Sequence, residues 1–100
     1  MSFDDPFFKN DVRNNYMIHI RFQQRNARKF ITTVEGMPDD LDVKKILRYI
    51  RKVYHTNGCI VDDDHGLPII QLQGDKRKDV YEAFTQWNIA PKENITVHGG

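Results

Sequence analysis

From Tyr16 to Gln24 the chain alternates residue by residue, with Tyr16, Ile18, Ile20 and Phe22 on one side and Met17, His19, Arg21 and Gln23 on the other. A period of two is that of a half-buried strand, so this segment must sit in a sheet with one apolar and one polar face. Lys29 to Glu35, with Phe30, Ile31, Thr32, Thr33 and Val34, is β-branched and aromatic and predicts a second strand. The five residues Gln24 to Arg28 between them are few enough for a hairpin. Gly36-Met37-Pro38 then breaks the pattern.

An apolar sheet face needs a cover, and the period changes to supply one. Val43, Ile46, Leu47, Ile50 and Tyr54 follow the three-four spacing of one helical face. Asp39, Asp40 or Asp42 can cap that helix, and Asn57-Gly58 offers its left-handed exit. Cys59-Ile60-Val61 and Leu67 to Gln73 predict two more strands joined by an acidic loop, with Pro68 at a strand start or an edge and Cys59 as a small core residue. Asp75 is placed to cap a second helix in which Val80, Ala83, Phe84 and Trp87 share a face. Asn88 to Asn94 is a connection, and Ile95 to His98 a last short strand. The order ββαββαβ predicts an α+β two-layer sandwich: a mixed five-stranded sheet with two helices packed on one face. Residues 1–15 are acidic and Asn-rich, with no apolar period, and are expected to form a flexible tail before a single domain at 16–100. Within that tail Phe3, Phe7 and Phe8 stand out as a candidate docking motif for a partner protein.

Composition narrows the chemistry. Ser2 is the only serine, which argues against a Ser-His-Asp hydrolase, and the single cysteine, Cys59, excludes an intrachain disulfide and a CxxC motif. Neither GxxxxGK[ST] nor GxGxxG occurs. No apolar run approaches the roughly 18 residues of a membrane span. The expectation is a cytoplasmic protein that is not an enzyme and needs no cofactor. Asp62-Asp63-Asp64-His65 does not match a calcium-loop spacing, and successive side chains of an extended loop point apart, so no metal is expected there.

Net charge is only +1, but its distribution is uneven. No acid separates Asp11 from Glu35, whereas Arg13, Arg21, Arg25, Arg28 and Lys29 lie between them. Val43 to Val61 again contains no acid but holds Lys44, Lys45, Arg48, Arg51 and Lys52, which fall within an arc of roughly 120° on a helix. A merely solvated helical face would gain from Glu–Lys pairs four residues apart, and this one has none. Arg25, Asn26, Arg28 and Lys29 add guanidinium forks, an amide and an ammonium on a projecting turn. Together they predict a surface for folded RNA read through its backbone. Most aromatics fall at core-facing positions, so no stacking platform is expected.

The stretch Ile18-His19-Ile20-Arg21-Phe22-Gln23-Gln24-Arg25-Asn26-Ala27-Arg28-Lys29, followed by Thr32-Thr33-Val34-Glu35-Gly36, resembles the eukaryotic translation initiation factor one family. So do Ile70-Gln71-Leu72-Gln73-Gly74-Asp75-Lys76-Arg77 and the ending Val97-His98-Gly99. Ala27 stands where that family commonly has glycine, Lys76 where it usually has glutamine, and Gly100 where an aromatic often follows. The resemblance implies a monomeric, non-enzymatic factor that binds the small (40S) ribosomal subunit near the P site and promotes scanning and stringent AUG selection. It implies that Arg25, Asn26, Arg28 and Lys29 meet ribosomal RNA, and that the basic helix adds RNA or partner-factor contacts. Asp62, Asp63, Asp64, His65, Gly66 and Leu67 would lie against the initiator tRNA, with other initiation factors of the preinitiation complex as further partners. The alternatives are a ribosome-associated factor of reinitiation or recycling, and a protein-interaction adaptor that uses the basic helix.

Overall fold

The computed structural model describes residues 16–99. Strands β1 (Ile18–Asn26) and β2 (Lys29–Glu35) lead into helix α1 (Val43–Tyr54). Strands β3 (Gly58–Asp62) and β4 (Pro68–Gln73) lead into helix α2 (Arg77–Gln86), then a single 3-10 turn (Lys92–Asn94) and strand β5 (Ile95–Val97). The sheet order is β3-β4-β2-β1-β5, antiparallel except for the parallel β1–β5 pair. The α+β architecture expected from the hydrophobic periods is the one observed.

Register explains the core. Ile20 pairs with Val34 and Val34 with Ile70, so one row of aliphatic side chains crosses three strands on a single face. Ile46, Leu47 and Ile50 of α1 and Val80, Ala83 and Phe84 of α2 close over that face, joined by Leu41, Ile89 and Ala90. Phe84 is fully buried and by area alone stabilises the fold by about 1.5–3 kcal/mol.

Helix α1 starts at Asp42, whose Oδ1 accepts the Lys45 N–H at 3.2 Å. Its left-handed exit is His55 (φ 52°) and not the expected Asn57-Gly58. Gly58 serves another need: a Cβ there would run into Leu72 Cδ2 and the Gln71 carbonyl oxygen, so its lack of a side chain lets β3 close on β4. Lys76, and not Asp75, occupies the cap position of α2 and makes no side-chain cap bond; one residue earlier, the Asp75 carboxylate accepts the Arg77 backbone N–H at 3.3 Å as well as its guanidinium. Asn88 (φ 56°) turns the chain out of α2. Cys59 is exposed on the edge strand β3 and is not a core residue.

One buried hydroxyl ties the β4–α2 turn to the sheet. Thr32 Oγ1 donates to the Gly74 carbonyl at 2.7 Å and accepts the Lys76 N–H at 2.8 Å. Thr32→Val keeps the shape and removes both bonds, leaving a backbone N–H without an acceptor. The expected loss is about 1–3 kcal/mol in urea unfolding. A change within error of zero would show that water replaces the hydroxyl.

Candidate nucleic-acid interface

The β1–β2 hairpin closes more tightly than the five-residue connection expected. Asn26 pairs with Lys29, so the turn is Ala27-Arg28 alone, and the ladder shifts between Gln24 and Asn26 to leave Arg25 as a bulge. Two-residue hairpins usually require positive φ, but here it is found at neither Ala27 nor Arg28. The bulge supplies the extra twist instead, and Asn26 Oδ1 accepts the Arg28 N–H at 3.0 Å to hold the turn. Ala27 therefore fits this turn without positive φ. This bond engages Asn26 Oδ1, and Arg25, Asn26, Arg28 and Lys29 are all exposed.

Helix α1 presents the second basic group. Lys44, Arg48, Arg51 and Lys52 are exposed, and with Leu47, His55, Thr56 and Asn57 they line an open groove of about 550 Å³. Lys45 is half-buried at the flank and does not line it. Arg51 and Lys52 also lie in the last turn of α1, where positive charge complements the helix dipole. Among the described residues the ion pairs are Arg21–Glu35 and Arg77–Asp75. Arg25, Arg28, Lys29, Lys44, Lys45, Arg48, Arg51 and Lys52 form none.

Sheet register then sorts the charges by end. β2 enters the sheet from the basic turn, and Ile31 pairs with Gln73 at the finish of β4. The Asp63–Leu67 connection, just beyond the Asp62–Pro68 pair, therefore lies at the opposite end of the sheet from Ala27-Arg28. Asp39, Asp42 and Asp62 gather at that acidic end around a second groove of about 530 Å³, which Lys44 from the first turn of α1 also lines. At the other end the basic turn is joined by the C-terminal half of α1, because the Asn57 carbonyl accepts the Gln73 N–H at 3.0 Å. Lys76, Arg77 and Lys78 open α2 at this same end. The run Lys76-Arg77-Lys78 is visible in sequence, but only the β4–α2 turn brings it beside the hairpin.

The three aspartates of the acidic connection divide their work. Asp63 Oδ1 accepts the His65 N–H at 2.7 Å and the Leu67 N–H at 2.9 Å. The Leu67 N–H above all, with help from the His65 N–H, holds the Asp63 carboxyl below its ordinary pKa. A depressed carboxyl supports the turn above the ordinary carboxylate pKa and releases it as pH falls below that value. Asp62, Asp64 and His65 stay exposed, Gly66 takes positive φ (77°), and Leu67 is 52% exposed. The tail candidates Phe3, Phe7 and Phe8 lie outside the described residues.

Two features of the basic end were not expected. Phe22 and Phe30 stack on each other near the hairpin turn, outside the core cluster. Arg77 donates from Nε and Nη2 to the Asp75 carboxylate, holding that carboxyl below its usual range, and from Nη1 to the His98 carbonyl. Alternation placed Phe22 on the core face correctly. Only the tertiary structure shows that the core ends before reaching it.

Among the described residues no group of three or more His, Cys, Asp or Glu could hold a metal ion, and no helix is long and apolar enough to cross a membrane. Comparison with known proteins agrees with the fold and supplies the lineage. The chain shares its fold with the C-terminal domain of human eIF2D, at a TM-score of 0.71 and 17% identity over 80% of this chain and 41% of that one. It is 46% identical to protein translation factor SUI1 of Eremothecium gossypii and 49% identical to eukaryotic translation initiation factor eIF-1 of Saccharomyces cerevisiae. Each alignment spans 95% of this chain and 91% of the relative. Human eukaryotic translation initiation factor 1 is 42% identical over 82% of this chain and 73% of its own length. The family described as translation initiation factor SUI1 matches residues 14–90. An α+β sheet with a basic hairpin, matched along nearly all its length by initiation factors, belongs to the SUI1 family and to translation initiation.

Proposed function

We propose that this protein binds the small (40S) ribosomal subunit near the P site through its basic end, promoting scanning and stringent choice of AUG. The observation that carries this reading is the set of eight exposed or half-exposed cations, free of internal ion pairs, on a projecting turn and the outer face of α1. Cations placed this way gain most from a polyanion, because binding releases the counterions condensed on it. If roughly eight of them meet phosphates, log affinity for 40S subunits falls with log salt at a slope of about −6 to −8. The factor acts by occupancy, not turnover, as a monomer in the cytoplasm. The tail aromatics Phe3, Phe7 and Phe8 serve contacts to other initiation factors. Reconstituted scanning on AUG and UUG templates tests the reading: adding the protein should suppress UUG initiation and spare AUG. Equal effects on both would sink it.

In the same reading the acidic connection opposes the initiator tRNA. Cations hold the factor on ribosomal RNA while Asp62 and Asp64 repel the incoming tRNA backbone, so full tRNA accommodation favours release. Asp62→Lys with Asp64→Lys reverses that repulsion and leaves the turn-forming Asp63 in place. The double variant is expected to dwell several-fold longer on the subunit after AUG pairing, as read by fluorescence of labelled protein. Faster release would refute the gate.

A further inference from the structure

Phe22 and Phe30 both point to the helix-bearing face, since Phe22 pairs with Thr32 and Phe30 with Gln24, in step with Ile20 and Val34. Their planes differ by 10° and their centroids lie 5.2 Å apart. The Arg77 guanidinium lies over the Phe22 ring at 4.5 Å from its centroid, fixed there by Asp75 and the His98 carbonyl. The sequence in space is therefore guanidinium, ring, ring. Phe30 makes no second ring or guanidinium contact among the described residues. Its neighbour on the β4 side is Gly74, whose N–H donates to the Phe30 carbonyl at 2.8 Å. A Cβ at Gly74 would meet nothing within 4 Å, so the space beside that residue is empty among the described residues. The stack is capped by a guanidinium at the Phe22 end, and among the described residues no further ring or guanidinium caps Phe30.

An aromatic ring left half-buried among cations suits one kind of ligand best. Every nucleobase offers a π face, and stacking on a protein aromatic requires no particular base edge. Arg25, Arg28 and Lys29 at the turn, with Lys76 and Lys78 at the start of α2, can hold the phosphates on either side. An apolar protein side chain would fill the same space, but it would leave those charges unanswered.

We propose that Phe30, backed by Phe22 and Arg77, is a stacking site for one unpaired nucleobase of RNA. This rests on the RNA-binding reading above and adds a base contact to what is otherwise backbone recognition. The site is specific for an unstacked base, not for its identity, so it selects loops, bulges and junctions over continuous duplex.

The test uses the full chain and two short RNAs of equal length: one whose only base is a central 2-aminopurine, and one fully abasic. Their phosphates are the same, so the difference isolates the base. The protein is expected to bind the first about 5- to 30-fold more tightly and to quench its fluorescence. Phe30→Leu should erase that preference, Phe30→Trp should keep it, and Arg28→Ala with Lys29→Ala should weaken both RNAs alike. Equal binding of the two RNAs by the unsubstituted protein overturns the stacking site while the RNA-binding reading stands. Failure to bind either RNA overturns both. The comparison in the unsubstituted protein decides the matter even if Phe30→Leu does not fold.

Discussion

Replacing Arg28 and Lys29 together with alanine is expected to weaken binding to purified 40S subunits about 10- to 100-fold, at roughly 0.7–1.4 kcal/mol per lost phosphate contact. Both side chains are exposed and neither has an internal ion pair, so their removal leaves no buried charge unanswered. The turn itself should persist, because the bond that holds it runs from the Arg28 backbone N–H to Asn26 Oδ1. Thermal unfolding should therefore move little, as is usual for exposed substitutions. Loss of two phosphate contacts also flattens the salt dependence, by about 1.4–1.8 in the log–log slope. Titration of labelled protein against subunits at several salt concentrations reads both quantities. Unchanged affinity would remove the hairpin from the interface. A large loss with an unchanged slope would instead point to a role in shape and not in charge.

Gly36→Ala is expected to be the most damaging single methyl in the sheet. Gly36 has φ 81°, where an L-residue is strained, and its missing Cβ would overlap the Met17 carbonyl. Strain of about 1–2 kcal/mol at that φ adds to about 1–3 kcal/mol for displacing the backbone just before β1. The sum, near 2–5 kcal/mol, is a large share of the stability of a domain this size and should lower its melting temperature by about 10 °C or more. Gly74→Ala provides the control: its φ is 80° but the space beside it is open, so only the strain is felt. Calorimetry or urea unfolding of the pair separates the two contributions. Equal losses at both positions would mean that the strand accommodates the methyl by moving.

Most of the architecture was legible in local pattern. Alternation over Tyr16 to Gln24 placed Ile18 and Ile20 on the core face, both of them fully buried. The three-four spacing from Val43 gave α1 and its buried Ile46, Leu47 and Ile50, and Asp42 was among the three acids judged able to cap it. Pro68 opens β4, where the lack of an N–H costs no interior ladder bond. What pattern could not assign was position within the sheet. Cys59-Ile60-Val61 is as apolar as a central strand, yet β3 is an edge, and Cys59 faces outward from it. Gly58 invited a helix-exit role, but strand packing against Leu72 claimed it, and His55 took the left-handed turn instead.

The candidate interface divides along the same line. The acid-free windows, the outward arc of α1 and the basic turn are local properties of the chain, readable without coordinates. That the basic turn and the C-terminal half of α1 share one end of the sheet, while Asp39, Asp42 and Asp62 gather with Lys44 at the other, follows from which strands pair and in what register. The same holds for Arg77 over Phe22, since residues 55 positions apart meet only through the crossing of the β4–α2 turn over the sheet. Short-range periodicity and charge spacing set what each segment must bury and what it must show to solvent. Strand pairing across long chain separations set which of the exposed groups face a ligand together, because that choice depends on the packing energy of the whole sheet and not on any segment of it.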